Sequence, residues 1–433
     1  MNTTICAIAT AQGGAIGIIR VSGPKAIDIT DKIFNGRHSL LDAKGYSVHY
    51  GQIINILSGN NEEIDDVIVT VFRAPHSYTG EDSTEISCHA STYILNAVCT
   101  LLVRCGCEFA APGEYTQRAF LNGKMDLSQA EAVADLIASQ NAAQHRVAMS
   151  HMRGAISQKL TELREKLINL TSLLELELDF SDHEDLEFAD RTQLLTLTQE
   201  IGNEISALLN SFSQGNAILH GIPVAIIGAP NVGKSTLLNA LLQDDKAIVS
   251  DIQGTTRDTI EDTISINGTL FRFIDTAGIR HTDDTIERLG IERSIKAAER
   301  AQIIILMRDD INDYPTLTLR DNQSVIHINN KSTEFQAING IGLNELKEKL
   351  ISITSKYNAS SDVLITNIRH KEILEQALSD VHSITSSISN KVPTDLIAED
   401  IRILLHHLAE ITGGEITSNN ILQNIFRNFC IGK

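Results

Sequence analysis

One stretch restricts the fold more than any other: PVAIIGAPNVGKSTLLNALL, where an apolar run enters Gly228-x-x-x-x-Gly233-Lys234-Ser235 and leaves as a leucine-rich segment of helical pattern. Strand, glycine turn and helix in that order is the context a phosphate loop requires. Asn231, Val232, Gly233 and Thr236 would line it with main-chain N–H groups, Lys234 would neutralise β- and γ-phosphate charge, and the Ser235 hydroxyl can hold Mg²⁺. A second element follows at a fitting distance. FRFIDTAG sets Asp275 at the end of an apolar strand, within reach of the Mg²⁺ shell, with Thr276, Ala277 and Gly278 where a γ-phosphate would be sensed. Between the two lies QGTTRD, whose Thr255 and Thr256 can close over a metal when triphosphate is bound. Together these elements identify a switch-type nucleoside triphosphatase.

The residue after Gly278 narrows the mechanism. A glutamine there commonly orients the attacking water; Ile279 cannot. Water orientation and compensating positive charge must come from elsewhere, and two residues are candidates. Asn231 is either a ligand for a monovalent cation or a loop-stabilising amide, and Glu287 is either the water-positioning acid or a solvated surface charge.

Around this α/β segment the pattern changes. Residues 1–121 read as α+β, with short β-branched runs at ICAIAT, IGIIRVSG and DDVIVTVF and a helical pattern at STYILNAVCTLLVRC. Residues 122–217 are helical, and Leu160, Leu163, Leu167, Leu170 and Leu174 repeat at spacings of three and four. That stripe needs helical partners, which the pattern places beyond the α/β segment. Residues 218–357 form the α/β domain. Helices return over 358–433, with Ile401, Leu404, Leu405, Leu408 and Ile411 on one face, and Ser418 or Asn419 capping a last helix that bears Ile421, Leu422, Ile425, Phe426 and Phe429. The expected architecture is multidomain, an α/β domain inserted into a discontinuous helical domain that follows an α+β domain.

Composition excludes several classes. At 433 residues, 42% hydrophobic and 21% charged, the chain is neither disordered nor fibrous. MNTTICAIATAQGG lacks the marks of a secretory signal and no run approaches the roughly 18 apolar residues of a membrane span, so a cytoplasmic location without membrane attachment is expected. Six cysteines without a CxxC pair suggest reduced packing residues. A net charge of −19 opposes broad electrostatic attraction to nucleic acid, so an RNA substrate would need a local basic patch or a partner. The acidic run DFSDHEDLEF reads as a solvated loop.

Several separated stretches carry a family resemblance over essentially the whole chain. These are ATAQGGAIGIIRVSG with SYTGEDSTEISCH, then PGEYTQRAFLNGKMDLSQAEAVADLI, then GAPNVGKS, GTTRD and DTAGIR with IERLGIERS, and the terminal FCIGK. The chain resembles the MnmE/TrmE tRNA modification GTPases. The resemblance implies a tetrahydrofolate-binding-like N-terminal domain, a helical domain and an inserted Ras-like GTPase domain. It implies K⁺-stimulated GTP hydrolysis, with Asn231, Ser250, Ile252 and Thr255 around K⁺, Ser235 and Thr256 on Mg²⁺, and Lys234, Asp275 and Glu287 as the catalytic set. It also implies a homodimer that binds a one-carbon tetrahydrofolate, of 5-formyl or methylene type, through Arg20, Glu85, Lys124 and Lys433. With an FAD-dependent partner, MnmG/GidA, family members install an aminomethyl-type group (5-carboxymethylaminomethyl) on C5 of the tRNA wobble uridine. Cys430 falls in the C-terminal motif, either as a thiol near the folate or as a small packed hydrophobe.

Departures from the family gather where the base would bind. The NKxD signature, whose aspartate selects guanine, is here Asn330-Lys331-Ser332-Thr333, with Glu334 one place further on as a substitute if the loop is shifted. The next base loop survives as Gln336-Ala337-Ile338-Asn339-Gly340-Ile341-Gly342 without its serine, and the connection from IIILMRDD to SVIHINN is short. Two other readings follow: a folate-binding dimeric scaffold with a degenerate GTPase domain, favoured by these departures, and a ribosome-assembly-type GTPase, which has no reason to carry FCIGK.

Overall fold

The computed structural model describes residues 3–11, 13–57, 61–179, 191–245, 262–274, 296–309, 319–320, 323–354, 363–414, 422, 425–427, 429 and 432. The chain divides into two compact units, one of Met1–Ile137, His151–Leu160 and Leu408–Lys433, the other of Ala138–Ser150 and Thr161–His407.

The first unit is built on a seven-stranded sheet. Its strands are β1 (Ile5–Ile8), β2 (Ile16–Ser22), β3 (Phe34–Gly36), β4 (Ser47–Asn55), β5 (Glu62–Phe72), β6 (Ser83–His89) and β7 (Glu108–Phe109), in the order β3-β4-β5-β6-β2-β1-β7. Neighbours run antiparallel except β1 and β7. Side chains alternate between the faces, so Ile19, Val21, Val67, Val69, Val71 and Ile86 share a core with α1 (Ala26–Ile33) and α2 (Thr92–Arg104). Arg20 and Glu85, opposite each other in register, fall on the other face. There α3 (Glu114–Leu121) packs Tyr115 against Ile5 and Ala7. Leu422 and Phe426 of the C-terminal segment close on Leu127 and Ala130 of α4 (Leu127–Ala138). Ser418 and Asn419, the expected helix caps, lie outside the described residues. Cys6, Cys88, Cys99 and Cys107 are free and buried, and burial pushes the Cys88 thiol up to about 11 and Cys99 up to about 12, which suits packing rather than reactivity.

Arg118 closes this unit from inside. Its guanidinium, 1% exposed, pairs with Glu114 at 2.8 Å and Glu81 at 3.1 Å and donates to the Thr3 carbonyl at 2.8 Å. One cation therefore ties the N-terminal residues, α3 and the loop before β6.

The second unit holds α7 (Arg191–His220), β8 (Ile222–Gly228), α8 (Lys234–Asp245), β9 (Asp262–Ile266), β10 (Thr269–Phe273), β11 (Ile303–Arg308), β12 (Ser324–Asn329), α9 (Leu343–Thr354) and α10 (Ile368–Ser389). The helices α5 (Ala142–Met152), α6 (Ala155–Asp179) and α11 (Thr394–Thr412) have residues in both units. Its sheet has the order β12-β11-β8-β10-β9 and is parallel except for β9. Central β8 is covered on both faces, which is why its sequence is a continuous apolar run. Val224 and Ile226 join Leu237, Leu241 and Leu346 on one face, while Ala225 and Ile227 join Ala297, Ala298 and Ala301 on the other.

The leucine stripe of α6 is buried as its spacing predicts, from Leu160 to Leu174. The next helix in the sequence, α7, meets α6 through the Lys166–Glu204 ion pair. Leu194, Thr198, Ile201, Ile205 and Leu208 give α7 a buried stripe of its own. A threonine in that row obscures its apolar period; it is tolerated because the Thr198 hydroxyl donates to the Leu194 carbonyl one turn back.

Two outcomes follow. Arg118→Leu leaves Glu81 and Glu114 buried without their cation and should destabilise the unit by about 3–5 kcal/mol, read as a loss of stability in urea. Asp135, on α4, has its carboxyl pushed from the usual 3.8 up to about 6 by burial, with Glu131 one turn earlier adding to the effect. The native state thus holds this proton more tightly than the unfolded chain. The stability it contributes is present below the unfolded value and is lost as pH rises through about 6. Asp135→Asn should therefore flatten the fall in Tm across that interval, and an unchanged slope would contradict the assignment.

Candidate nucleotide site and N-terminal polar site

Strand β8 ends at Gly228 and α8 begins at Lys234, so the intervening loop lies at the positive end of a helix. The left-handed φ of Asn231, 63°, and of Gly233, 97°, turn the chain within it. Val232 is fully buried beneath. Lys234 folds back, its Nζ donating to the carbonyls of Gly228 and Ala229, each at 2.8 Å. Burial lowers the pKa of this ammonium. Ser235 and Thr236, half-buried, begin the first turn of α8.

A distant turn braces this loop. Asn330, 5% exposed, donates from Nδ2 to the Val232 carbonyl at 2.7 Å and accepts at Oδ1 from the Ala337 N–H at 3.1 Å. A Cβ on Gly233 would lie 2.3 Å from that Nδ2, so the approach requires glycine. Lys331, at φ 64°, reaches the Asn231 carbonyl at 3.2 Å and Asp309 at 2.8 Å. Ser332 Oγ donates to the Asn329 carbonyl at 2.8 Å and accepts from the N–H groups of Glu334 and Phe335 at 3.3 and 3.2 Å, which caps the turn. Thr333 and Glu334 are exposed at its tip.

Of the sequence-predicted nucleotide residues, the structure brings together Asn231, Val232, Gly233, Lys234, Ser235, Thr236, Asn330 and Lys331. Ser250, Ile252, Thr255, Thr256, Asp275, Thr276, Ala277, Gly278, Ile279 and Glu287 lie outside the described residues, as does most of the short connection between β11 and β12. The chain entering Asp275 does run beside β8, since the Ile274 N–H donates to the Val224 carbonyl at 3.0 Å. Asp309 was not foreseen. Its signal is an acid directly after the apolar strand β11, the same pattern that singles out Asp275.

In the first unit, Arg20 Nε and Nη2 donate to Glu85 Oε1 at 2.9 and 2.7 Å, and Nη1 donates to the Gly432 carbonyl at 3.3 Å. The guanidinium lies 5.7 Å from the Tyr78 ring centroid and 5.6 Å from that of Tyr115. Tyr78 shares a 2.9 Å hydrogen bond with Thr116, and burial raises its pKa. Gly432 has φ 94°, and a Cβ there would meet the Ile8 carbonyl at 2.6 Å. Lys124 donates to the Pro75 carbonyl at 2.9 Å. Arg20 and Glu85 are thus joined, and the C-terminal segment returns to them; Cys430 and Lys433 lie outside the described residues. Tyr78 and Tyr115 went unrecognised because an aromatic partner of an arginine has no fixed sequence spacing.

Comparison with known proteins is consistent over the full length. Residues 4–124 match the family described as GTP-binding protein TrmE N-terminus, and residues 127–430 match the MnmE helical domain. A protein of Parabacteroides distasonis named tRNA modification GTPase MnmE is 54% identical, with 100% of each chain covered. Proteins of the same name from Bacteroides fragilis and Christiangramia forsetii are 52% and 45% identical, covering 99% and 100% of both chains respectively. The first alignment spans 468 positions against 433 residues here, so that relative carries segments this chain lacks. On the phosphate loop and its brace, and on these full-length similarities, the chain belongs to the MnmE family of tRNA modification GTPases.

Proposed function

We propose that this chain hydrolyses GTP in a K⁺-stimulated reaction and acts in the cytoplasm, with an FAD-dependent partner of the MnmG/GidA type, to form the 5-carboxymethylaminomethyl group on the tRNA wobble uridine. The observation that carries the reading is the braced phosphate loop, in which Lys234, Asn330 and Lys331 all bond its main chain. An ammonium that bonds carbonyls here can exchange them for phosphate oxygens at little cost, because its partial burial favours any strong acceptor.

The donor set fits the ions. Ser235 and Thr256 offer hydroxyls suited to Mg²⁺, and Asn231, Ser250, Ile252 and Thr255 offer neutral oxygens suited to K⁺, which would supply transition-state positive charge. Asn231, exposed in the loop, is free of the packing that would turn its amide inward. Lys234 would hold the β- and γ-phosphates with the N–H groups of Val232, Gly233, Thr236, Thr276, Ala277 and Gly278, Asp275 would serve the Mg²⁺ shell, and Glu287 would orient the water that Ile279 cannot.

At the N-terminal site a one-carbon tetrahydrofolate fits the chemistry present: Glu85, oriented by Arg20, can accept from pterin amino groups, and Lys124 and Lys433 can pair its carboxylates. The homodimer is supported by the outer sheet face, where Val48, Tyr50 and Ile68 are 64, 70 and 45% exposed and Tyr50 sits opposite Ile68 in register. A tRNA partner suits the relatives' names, and recruitment through a second protein suits the charge of −19. Among the described residues no helix is long and apolar enough to cross a membrane. The domain boundaries we assign are 1–121, 122–217, 218–357 and 358–433.

Phosphate release from GTP should be faster in K⁺ than in Na⁺ at equal ionic strength, and Glu287→Ala should lower kcat by about 10²-fold or more. Equal rates in the two cations would overturn the activation mechanism. A deletion strain that keeps its C5-modified wobble uridines would overturn the cellular role.

A further inference from the structure

The base site departs from what guanine selection needs. Guanine presents N1–H and a 2-amino group on one edge, donors that a single carboxylate can accept together; hypoxanthine keeps only the first and adenine neither. The turn that would present such a carboxylate is fixed by Asn330, whose amide is used at both ends, on Val232 and on Ala337. Lys331 is drawn to Asn231 and Asp309. Three places after Asn330, the tip holds Thr333, an exposed hydroxyl and methyl rather than a carboxylate.

Of the two acids described at this turn, neither replaces it. Asp309 is 3% exposed and ion-paired with Lys331. Bringing Glu334 into the place of Thr333 means sliding the turn by one residue. That slide would break the Ser332 cap on the Glu334 and Phe335 N–H groups and pull Phe335, 8% exposed, out of the core it shares with Leu343 and Leu346. Gly342 also abuts here: a Cβ on it would lie 2.8 Å from the Glu334 carbonyl and 2.5 Å from the Phe335 ring, so the backbone is clamped from that side too.

We infer that this chain does not read the N1–H and 2-amino edge of guanine through a carboxylate, so its nucleotide site takes guanine and hypoxanthine nucleotides alike. The substrate class is then 6-oxopurine nucleoside triphosphates, with GTP selected by its availability more than by the 2-amino group. This rests on the nucleotide-site reading above.

Titration calorimetry of the full chain with GDP, IDP and ADP tests it without relying on hydrolysis. GDP and IDP should bind within about threefold of each other, and Thr333→Asp, at an exposed position, should favour GDP by at least about tenfold, the worth of one hydrogen bond to a charged group. A wild-type preference for GDP over IDP of about tenfold or more would overturn the inference, and its loss in Glu334→Gln would name the acceptor. Equal GDP and IDP affinities in folded Thr333→Asp would overturn the placement of residue 333 at the base edge. If none of the three diphosphates bound, the phosphate-loop reading itself would fail, an outcome distinct from equal binding.

Discussion

Asn330 joins two loops that are 98 residues apart, and much of the nucleotide site depends on that contact. Its amide satisfies a carbonyl of the phosphate loop and an N–H of the loop after β12, both buried, so neither polar group is left without a partner in a dry region. Gly233 permits the approach because any side chain there would collide with the amide. Lys331 repeats the bridge nearer solvent and adds Asp309. The phosphate loop is therefore held from the base side, and a change in one loop is felt in the other.

The same logic operates in the first unit with charge in place of amides. Arg118 and Arg20 are each engaged by carboxylates and carbonyls from distant segments, Arg118 inside the unit and Arg20 at the face that carries Glu85. Arg118, buried, and Arg20, half-buried, each stand where several segments of the first unit meet. The requirement for glycine at position 432 follows from this return of the C-terminus, since the segment must pass the Ile8 carbonyl to reach Arg20. The FCIGK ending is thus explained at one position by packing, independently of what Cys430 does.

What could be read in advance divides along physical lines. Local periodicity identified β2, β5, α2, α6 and β8, because burial of one face or two leaves its mark every two or three to four residues. The phosphate loop was legible because a fixed spacing of glycine, lysine and serine is dictated by the ligand. Contacts between distant segments were not: Arg118 meets Thr3, Glu81 and Glu114, and nothing in their spacing links them. At the base loop, sequence showed that a carboxylate was absent from position 333; only the geometry of the Ser332 cap shows why Glu334 does not take its place.

One side chain couples the base loop to the phosphate loop, so a ligand without a base separates the two roles of Asn330. Binding of inorganic triphosphate and of GDP should be compared in the wild-type chain and in Asn330→Ala. Both affinities should fall, each by about tenfold or more, because the phosphate loop loses its brace along with the base loop. Undiminished triphosphate binding with only GDP weakened would contradict it, and would confine Asn330 to the base.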